Sequence, residues 1–345
     1  MRRLIAFVAL VLLAPGCGSG ELSKPRASQL SRIVFEKGLR IGVADANGRH
    51  WRFLVRGWAP VISPDGRWVA FSGSRGLSVI NANGGPIRVL AKDVAYPAVW
   101  SPDSRHLAAQ IGRSTPPYGE LVTADRNRPG VRRIAVAEYF SGFDFSPDGS
   151  RLAFARSSAP NERSDVYVAR TGGGPVRRVT RDARSTWPVW TPGGSITFSR
   201  REGPLGAQAA RDTYWGKHRL WLMSAAGADK RVLTKRLRPT LITERLGLQA
   251  VAWSQAGGRL LAVSPTHNGE YVYVVDRRGS IRSLGNQGYF GYATADDISR
   301  DGRFILLWIQ LDGPDSRRTR VELVRTNGGR PRVIARNVGP PSWSR

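Results

Sequence analysis

Side chains able to do acid, base, nucleophilic or metal chemistry are sparse in this chain. Histidine occurs four times, at 50, 106, 218 and 267, and cysteine once, at 17. A serine nucleophile needs a positioned base, so any hydrolytic constellation would have to recruit one of these four imidazoles. No two of them stand at the His-x-x-x-His spacing that presents two metal ligands from one element. His218 and His267, with Asp212 and Glu270 close by in sequence, are the only grouping from which an acid/base or metal site could be assembled. Gly172-Gly173-Gly174 reads as an interstrand turn and not as a phosphate-binding loop. These counts favour a protein that binds over one that catalyses, with no cofactor or metal expected.

The elements that would position these groups begin after a leader. Met1, Arg2 and Arg3 precede an unbroken apolar run from Leu4 to Leu13, and small residues follow up to Cys17. This is the pattern of an export signal. At about 1.5 Å per residue the run reaches about 15 Å, half of a hydrocarbon core of about 30 Å, so it is too short to span. Leu13-Ala14-Pro15-Gly16-Cys17 resembles a bacterial lipobox, which makes Cys17 the expected lipid-attachment site; the alternative is ordinary cleavage and release as a secreted or periplasmic soluble protein. Gly18-Ser19-Gly20 opens a tether to residue 30. A lone cysteine excludes intramolecular disulfides.

Beyond residue 30 one hairpin signature recurs. It reads Val61-Ile62-Ser63-Pro64-Asp65-Gly66, Val99-Trp100-Ser101-Pro102-Asp103-Ser104 and Asp144-Phe145-Ser146-Pro147-Asp148-Gly149. Weaker copies are Val189-Trp190-Thr191-Pro192-Gly193-Gly194, Ala252-Trp253-Ser254-Gln255-Ala256-Gly257 and Asp297-Ile298-Ser299-Arg300-Asp301-Gly302. The chain ends on Ser342-Trp343-Ser344-Arg345. Successive Ser/Thr positions are 38, 45, 45, 63, 45 and 45 residues apart. Proline presets φ, aspartate accepts local N–H groups and glycine supplies positive φ, so these aspartates are turn formers first.

Each signature leads into two β-rich segments and then a short fourth one carrying an arginine, at 88, 133, 178, 231, 282 and 332. Four strands per radial repeat describe propeller blades. Residues 32 to 55 supply three strands without a first, and Pro341 to Arg345 a first without followers. The expectation is an all-β, seven-bladed β-propeller of four-stranded antiparallel blades, closed by pairing the C-terminal strand with the N-terminal blade and burying Trp343 there. The organisation is thus a leader over 1–17, a tether over 18–30 and a propeller over 31–345.

The Ser-Pro-Asp repeats resemble those of the TolB-like propellers, relatives of the WD repeat. The resemblance covers about residues 31 to 345 and implies the fold. TolB itself carries an N-terminal α/β domain that the short segment before residue 31 does not match, so a role in its envelope complex is not implied.

In a propeller the loops between first and second and between third and fourth strands share one face. Here those are short turns, whereas the opposite face receives all the long, variable connections, where binding residues concentrate. Tyr118, Tyr139, Phe140, Trp187, Tyr214, Trp215, Tyr289, Phe290 and Tyr292 map to that face and are the candidate partner-binding residues; the competing reading of Trp187 is a packing wedge between blades. His218 and His267 map there too, while His50 and His106 map to the short-turn face.

The net charge of +27 comes from 47 arginines and six lysines against 26 acids. That reads as a genome-wide arginine preference spread over solvated surface, weak support for a nucleic-acid or polyanion partner and better suited to anionic lipid or wall polymer. The leading expectation is a monomeric, non-enzymatic binding protein of the cell envelope, extracytoplasmic and lipid-anchored, taking a protein, peptide or glycan on the long-loop face. The alternatives are a propeller lyase or hydrolase acting on a polymer, and a polyanion binder.

Overall fold

The computed structural model describes residues 32–92, 95–112, 117–158, 163–202, 218–234, 247–266, 269–285, 291–311 and 318–344. Within them lie seven four-stranded antiparallel sheets and no helix. The first to form along the chain is a composite: β28 (Pro341–Trp343), β1 (Arg32–Glu36), β2 (Arg40–Asp45) and β3 (Arg52–Arg56), in that order. Six blades of consecutive strands follow. Their innermost strands are β4 (Trp58–Ile62), β8 (Ala95–Trp100), β12 (Tyr139–Phe145), β16 (Ser185–Trp190), β20 (Gln249–Trp253) and β24 (Gly291–Ile298), which open blades 1 to 6.

The repeat signature has a physical explanation in the turn after each innermost strand. Ser63 is fully buried; its Oγ accepts the Trp68 N–H at 2.9 Å and donates to Asp65 at 2.5 Å. Ser101 with Asp103, Ser146 with Asp148 and Ser299 with Asp301 repeat the arrangement. The hydroxyl thus satisfies a buried donor at the hairpin, as a buried polar group must. Hydrogen bonds from Ser146 and Ser150 hold the Asp148 carboxyl down at about 2.

Closure reuses the same device across the chain ends. Ser344 Oγ accepts the Arg32 N–H at 2.8 Å, although 312 residues separate them. β28 pairs with β1 in the register Ile33 with Trp343, Val34 with Ser342 and Phe35 with Pro341. Trp343 is 6% exposed and packs with Ile33, Phe35, Leu306 and Val321.

Seven hydrophobic clusters fill the gaps between neighbouring blades, one per gap. The middle strands are therefore buried on both faces and read as apolar runs, as in Trp68–Gly73, rather than as alternating patterns. The tryptophans of the signature span these gaps. Trp100 Nε1 donates to the Val61 carbonyl at 3.0 Å and Trp253 Nε1 to Thr197 Oγ1 at 3.0 Å, each reaching the preceding blade.

The fourth-strand arginines serve the same gaps. Arg52, Arg88, Arg177 and Arg332 each donate to a backbone carbonyl in the third-to-fourth turn of the next blade, those of Ala82, Arg126, Ala225 and Asn47.

Candidate binding site at the axial channel

An innermost strand has one edge with no strand beside it, and the sequence accommodates that edge. All six complete innermost strands carry a β-bulge at a corresponding level. Pro60, Pro97 and Pro188 fall within bulges, where a missing N–H costs no ladder bond. Gly142, at φ 94°, occupies the bulge of β12, a backbone conformation that glycine adopts without a Cβ clash. Trp187 occupies the bulge of β16 with φ 44°.

Side chains from adjacent blades capture edge N–H groups. Asp144 Oδ2 accepts the Trp190 N–H at 2.8 Å, Ser342 Oγ that of Ile62 at 3.3 Å and Glu270 Oε2 that of Ala295 at 2.9 Å. Glu36 Oε2 does the same for Ala59 at 3.3 Å, and Ser199 Oγ for Ala250 at 3.2 Å. Burial pushes the Glu270 carboxyl up to about 7, against the opposing effect of the Ala295 bond.

Inside this ring lies an axial cavity of about 170 Å³. Most of its lining residues are apolar, with Phe143, Trp187 and Trp343 among its rings and Asp144, Asp297 and Ser342 as its polar side chains, and polar atoms make up about half of the surface it presents. Concave, mostly apolar sites with a few fixed polar groups are the usual form of a ligand pocket. Asp144, Asp297 and Ser342 stand two residues before the signature Ser, where the other repeats have Val61, Val99, Val189 and Ala252. That substitution of polar for apolar within a repeat was the available signal for channel residues, and aromatic content alone passes over it.

The expected binding residues distribute unevenly. Trp187 lines the cavity and meets the His218 ring edge to face, with 5.5 Å between centroids. Tyr118 is 55% exposed just before β10 (Gly119–Asp125), and Tyr139 is half-buried at the start of β12. Phe140 is a correction: at 5% exposure it packs against Phe154, 6.0 Å between centroids, because the register of β12 turns it into the gap between blades 2 and 3. Tyr292 lies within β24, paired with Gln310. Cys17, Tyr214, Trp215, Tyr289, Phe290 and His267 fall outside the described residues, as do most of the long connections. Among the described residues no three His, Cys, Asp or Glu side chains group as metal ligands. His50 pairs with Asp45 at 2.7 Å on the surface, and His106 stands 3.8 Å from Asp103.

No protein-family model matches the sequence, and no curated protein does. Solved structures do match. A TolB from Agrobacterium tumefaciens aligns with a TM-score of 0.51 at 18% identity, over 80% of this chain and 96% of that one. The chain shares the β-propeller fold. A TolB from Acinetobacter baumannii aligns at TM-score 0.54 and 16% identity, over 91% of this chain and 66% of that one. An oligogalacturonate lyase in complex with manganese aligns at 0.60 and 15%, over 82% of each chain. Propellers of peptidases share the architecture as well. At these identities the likeness is one of fold, and a fold by itself does not fix a function.

Proposed function

We propose that this TolB-like propeller is a non-enzymatic binding protein of the cell envelope that receives a protein, peptide or glycan segment at the Trp187 end of its axial channel. The observation that carries this reading is the shared bulge of the innermost strands around a concave cavity lined by aromatic rings and a few polar groups. Trp187 sits in one of these bulges, on a rigid scaffold beside His218. An aromatic anchor of this kind contributes contact area at small entropic cost. Tyr118 and Tyr139 extend the same face, and Tyr214, Trp215, Tyr289, Phe290 and Tyr292 complete the proposed set.

A photo-crosslinking residue placed at 187 or 118 in intact cells tests the reading. Partner adducts are expected from both positions and none from Val131, which is exposed just before the outer strand of blade 2 (Arg132–Ala137). Adducts equally frequent at 131 would refute a channel-face site.

The leader supports placement outside the cytoplasmic membrane, with Cys17 as the lipid-bearing residue. Among the described residues no helix is long and apolar enough to cross a membrane. Cys17→Ala is expected to move the protein from the membrane fraction to a soluble one, and unchanged fractionation would count against lipidation.

A further inference from the structure

The composite blade carries a surface that neither closure nor the channel uses. Five large hydrophobic side chains are exposed among the described residues, and three of them belong to this blade: Leu39 at 65%, Trp51 at 50% and Phe53 at 41%. Trp51 and Phe53 stand edge to face with 5.3 Å between centroids, and Trp51 tilts against buried Phe35 at 6.3 Å. Phe53 is on β3, the outermost strand, so the rings lie on the rim of the disc and not at its axis.

Trp51 lines a groove of about 340 Å³ whose far wall is Val333, Ile334 and Ala335 of blade 6. Gly48 keeps the two blades close here, since a Cβ at that position would stand 2.3 Å from the Ile334 carbonyl oxygen. Lys37 and Arg336 line the same groove and no carboxylate does. Lys37 Nζ lies 5.5 Å from the centre of the Trp51 ring, and the Arg40 guanidinium lies 5.1 Å from that of Phe53.

Exposed apolar side chains gathered on one patch mark an interaction surface. Aromatic rings bracketed by Lys and Arg match the layering of a membrane interface, where rings sit at headgroup depth and cations meet phosphates. Charge complementarity selects an anionic bilayer. Continuity along the chain points the same way: the segment leading into this blade contains the apolar run Leu4 to Leu13 and Cys17. Fourteen residues separate Cys17 from Arg32, a reach of about 50 Å at full extension. Attachment of that segment to a membrane would hold the domain within that reach of the bilayer.

We propose that the rim of the composite blade, through Leu39, Trp51 and Phe53 with Lys37, Arg40 and Arg336, docks on an anionic phospholipid bilayer. The surface is separate from the proposed partner site, so the two readings stand or fall independently.

The full chain contains one cysteine, so Cys17→Ala yields a background in which Leu39→Cys or Val131→Cys takes a single environment-sensitive fluorophore. Vesicles of equal phosphatidylglycerol and phosphatidylcholine are expected to shift the label at 39 to the blue with a several-fold gain in intensity, and to leave that at 131 unchanged. Phosphatidylcholine alone, 1 M salt (about a 3 Å screening length) or the pair Trp51→Ala and Phe53→Ala should abolish most of the gain. If that pair disturbs folding by near-ultraviolet circular dichroism, Lys37→Glu with Arg40→Glu replaces it, with the same loss expected. The proposal is overturned by equal shifts at 39 and 131, by no shift at 39, or by a shift that both variant pairs leave intact. Emission at 39 already blue before vesicles are added, and unchanged by them, would overturn it too, showing that protein covers the patch.

Discussion

Glu270 illustrates how a single side chain reports the cost of ring assembly. Its carboxyl is drawn into the gap between blades 5 and 6 to accept the Ala295 N–H at 2.9 Å, and burial pushes it up to about 7. The folded protein therefore retains a proton on Glu270 at pH values where the unfolded chain has lost it. The neutral form's contribution is complete below about 4.5, declines as pH rises towards about 7, and levels off above that. At about 1.4 kcal/mol per pH unit the decline is about 3 kcal/mol. Urea midpoints measured from pH 4 to pH 8 should show this fall, and Glu270→Gln should flatten that part of the curve. A variant with the wild-type slope would mean that other groups carry it.

At the level of elements, the connections between blades are polar as well as apolar. Asp165 opens β14 (Asp165–Arg170) and is 5% exposed. It accepts from Thr180 Oγ1 at 2.9 Å and from the Asp182 and Ala183 N–H groups at 3.1 and 3.2 Å, and it pairs with Arg178. This one carboxylate thus shapes the connection from blade 3 to blade 4, which ends at the innermost strand bearing Trp187. Removing it leaves three donors without their acceptor, while the exposed Arg178 returns to water, so Asp165→Ala is expected to cost about 1 to 3 kcal/mol. Asp165→Asn keeps one acceptor oxygen and should cost less. Chemical denaturation of the two variants checks the order, and equal losses would show that charge alone matters there. The arginine bridges to neighbouring turns belong to the same level: each guanidinium gives an N–H donor to a contact with the next blade and keeps its charge.

For the whole molecule, the ring's stability depends on its last strand. Deleting Pro341 to Arg345 removes Trp343, a buried aromatic worth about 3 to 5 kcal/mol, together with the Ser344 bond to Arg32. It also exposes the inner edge of β1, a template for aggregation. The loss approaches the 5 to 15 kcal/mol typical of a folded domain. The truncated chain is expected to aggregate or to melt far below the full-length protein. Melting within about 2 °C of full length would show that the ring does not rely on this strand.

The fold was legible because the turn signature is local chemistry repeated at a near-constant interval: Ser, Pro, Asp and Gly dictate the hairpin from neighbouring atoms alone, and its seventh copy at Ser342-Trp343-Ser344 announced closure. The site was legible only in part. Trp187 could be placed on a face by counting strands, but its orientation into the channel depends on a bulge that no short motif encodes. Phe140 looked equivalent and is core, since a register shift within β12 decides which side of a strand a ring occupies. The roles of Asp144, Ser342, Glu36 and Glu270 as acceptors for the next blade's N–H groups arise from contacts between segments 23 to 280 residues apart. The sequence by itself determined the repeat and the blade count, because each hairpin follows from local backbone preferences, and the incomplete units at the two ends left each other as partners. Only the tertiary structure decided which polar groups face the axis and that aromatic rings remain on the rim of the composite blade, because both are set by how separately formed sheets pack around a closed ring.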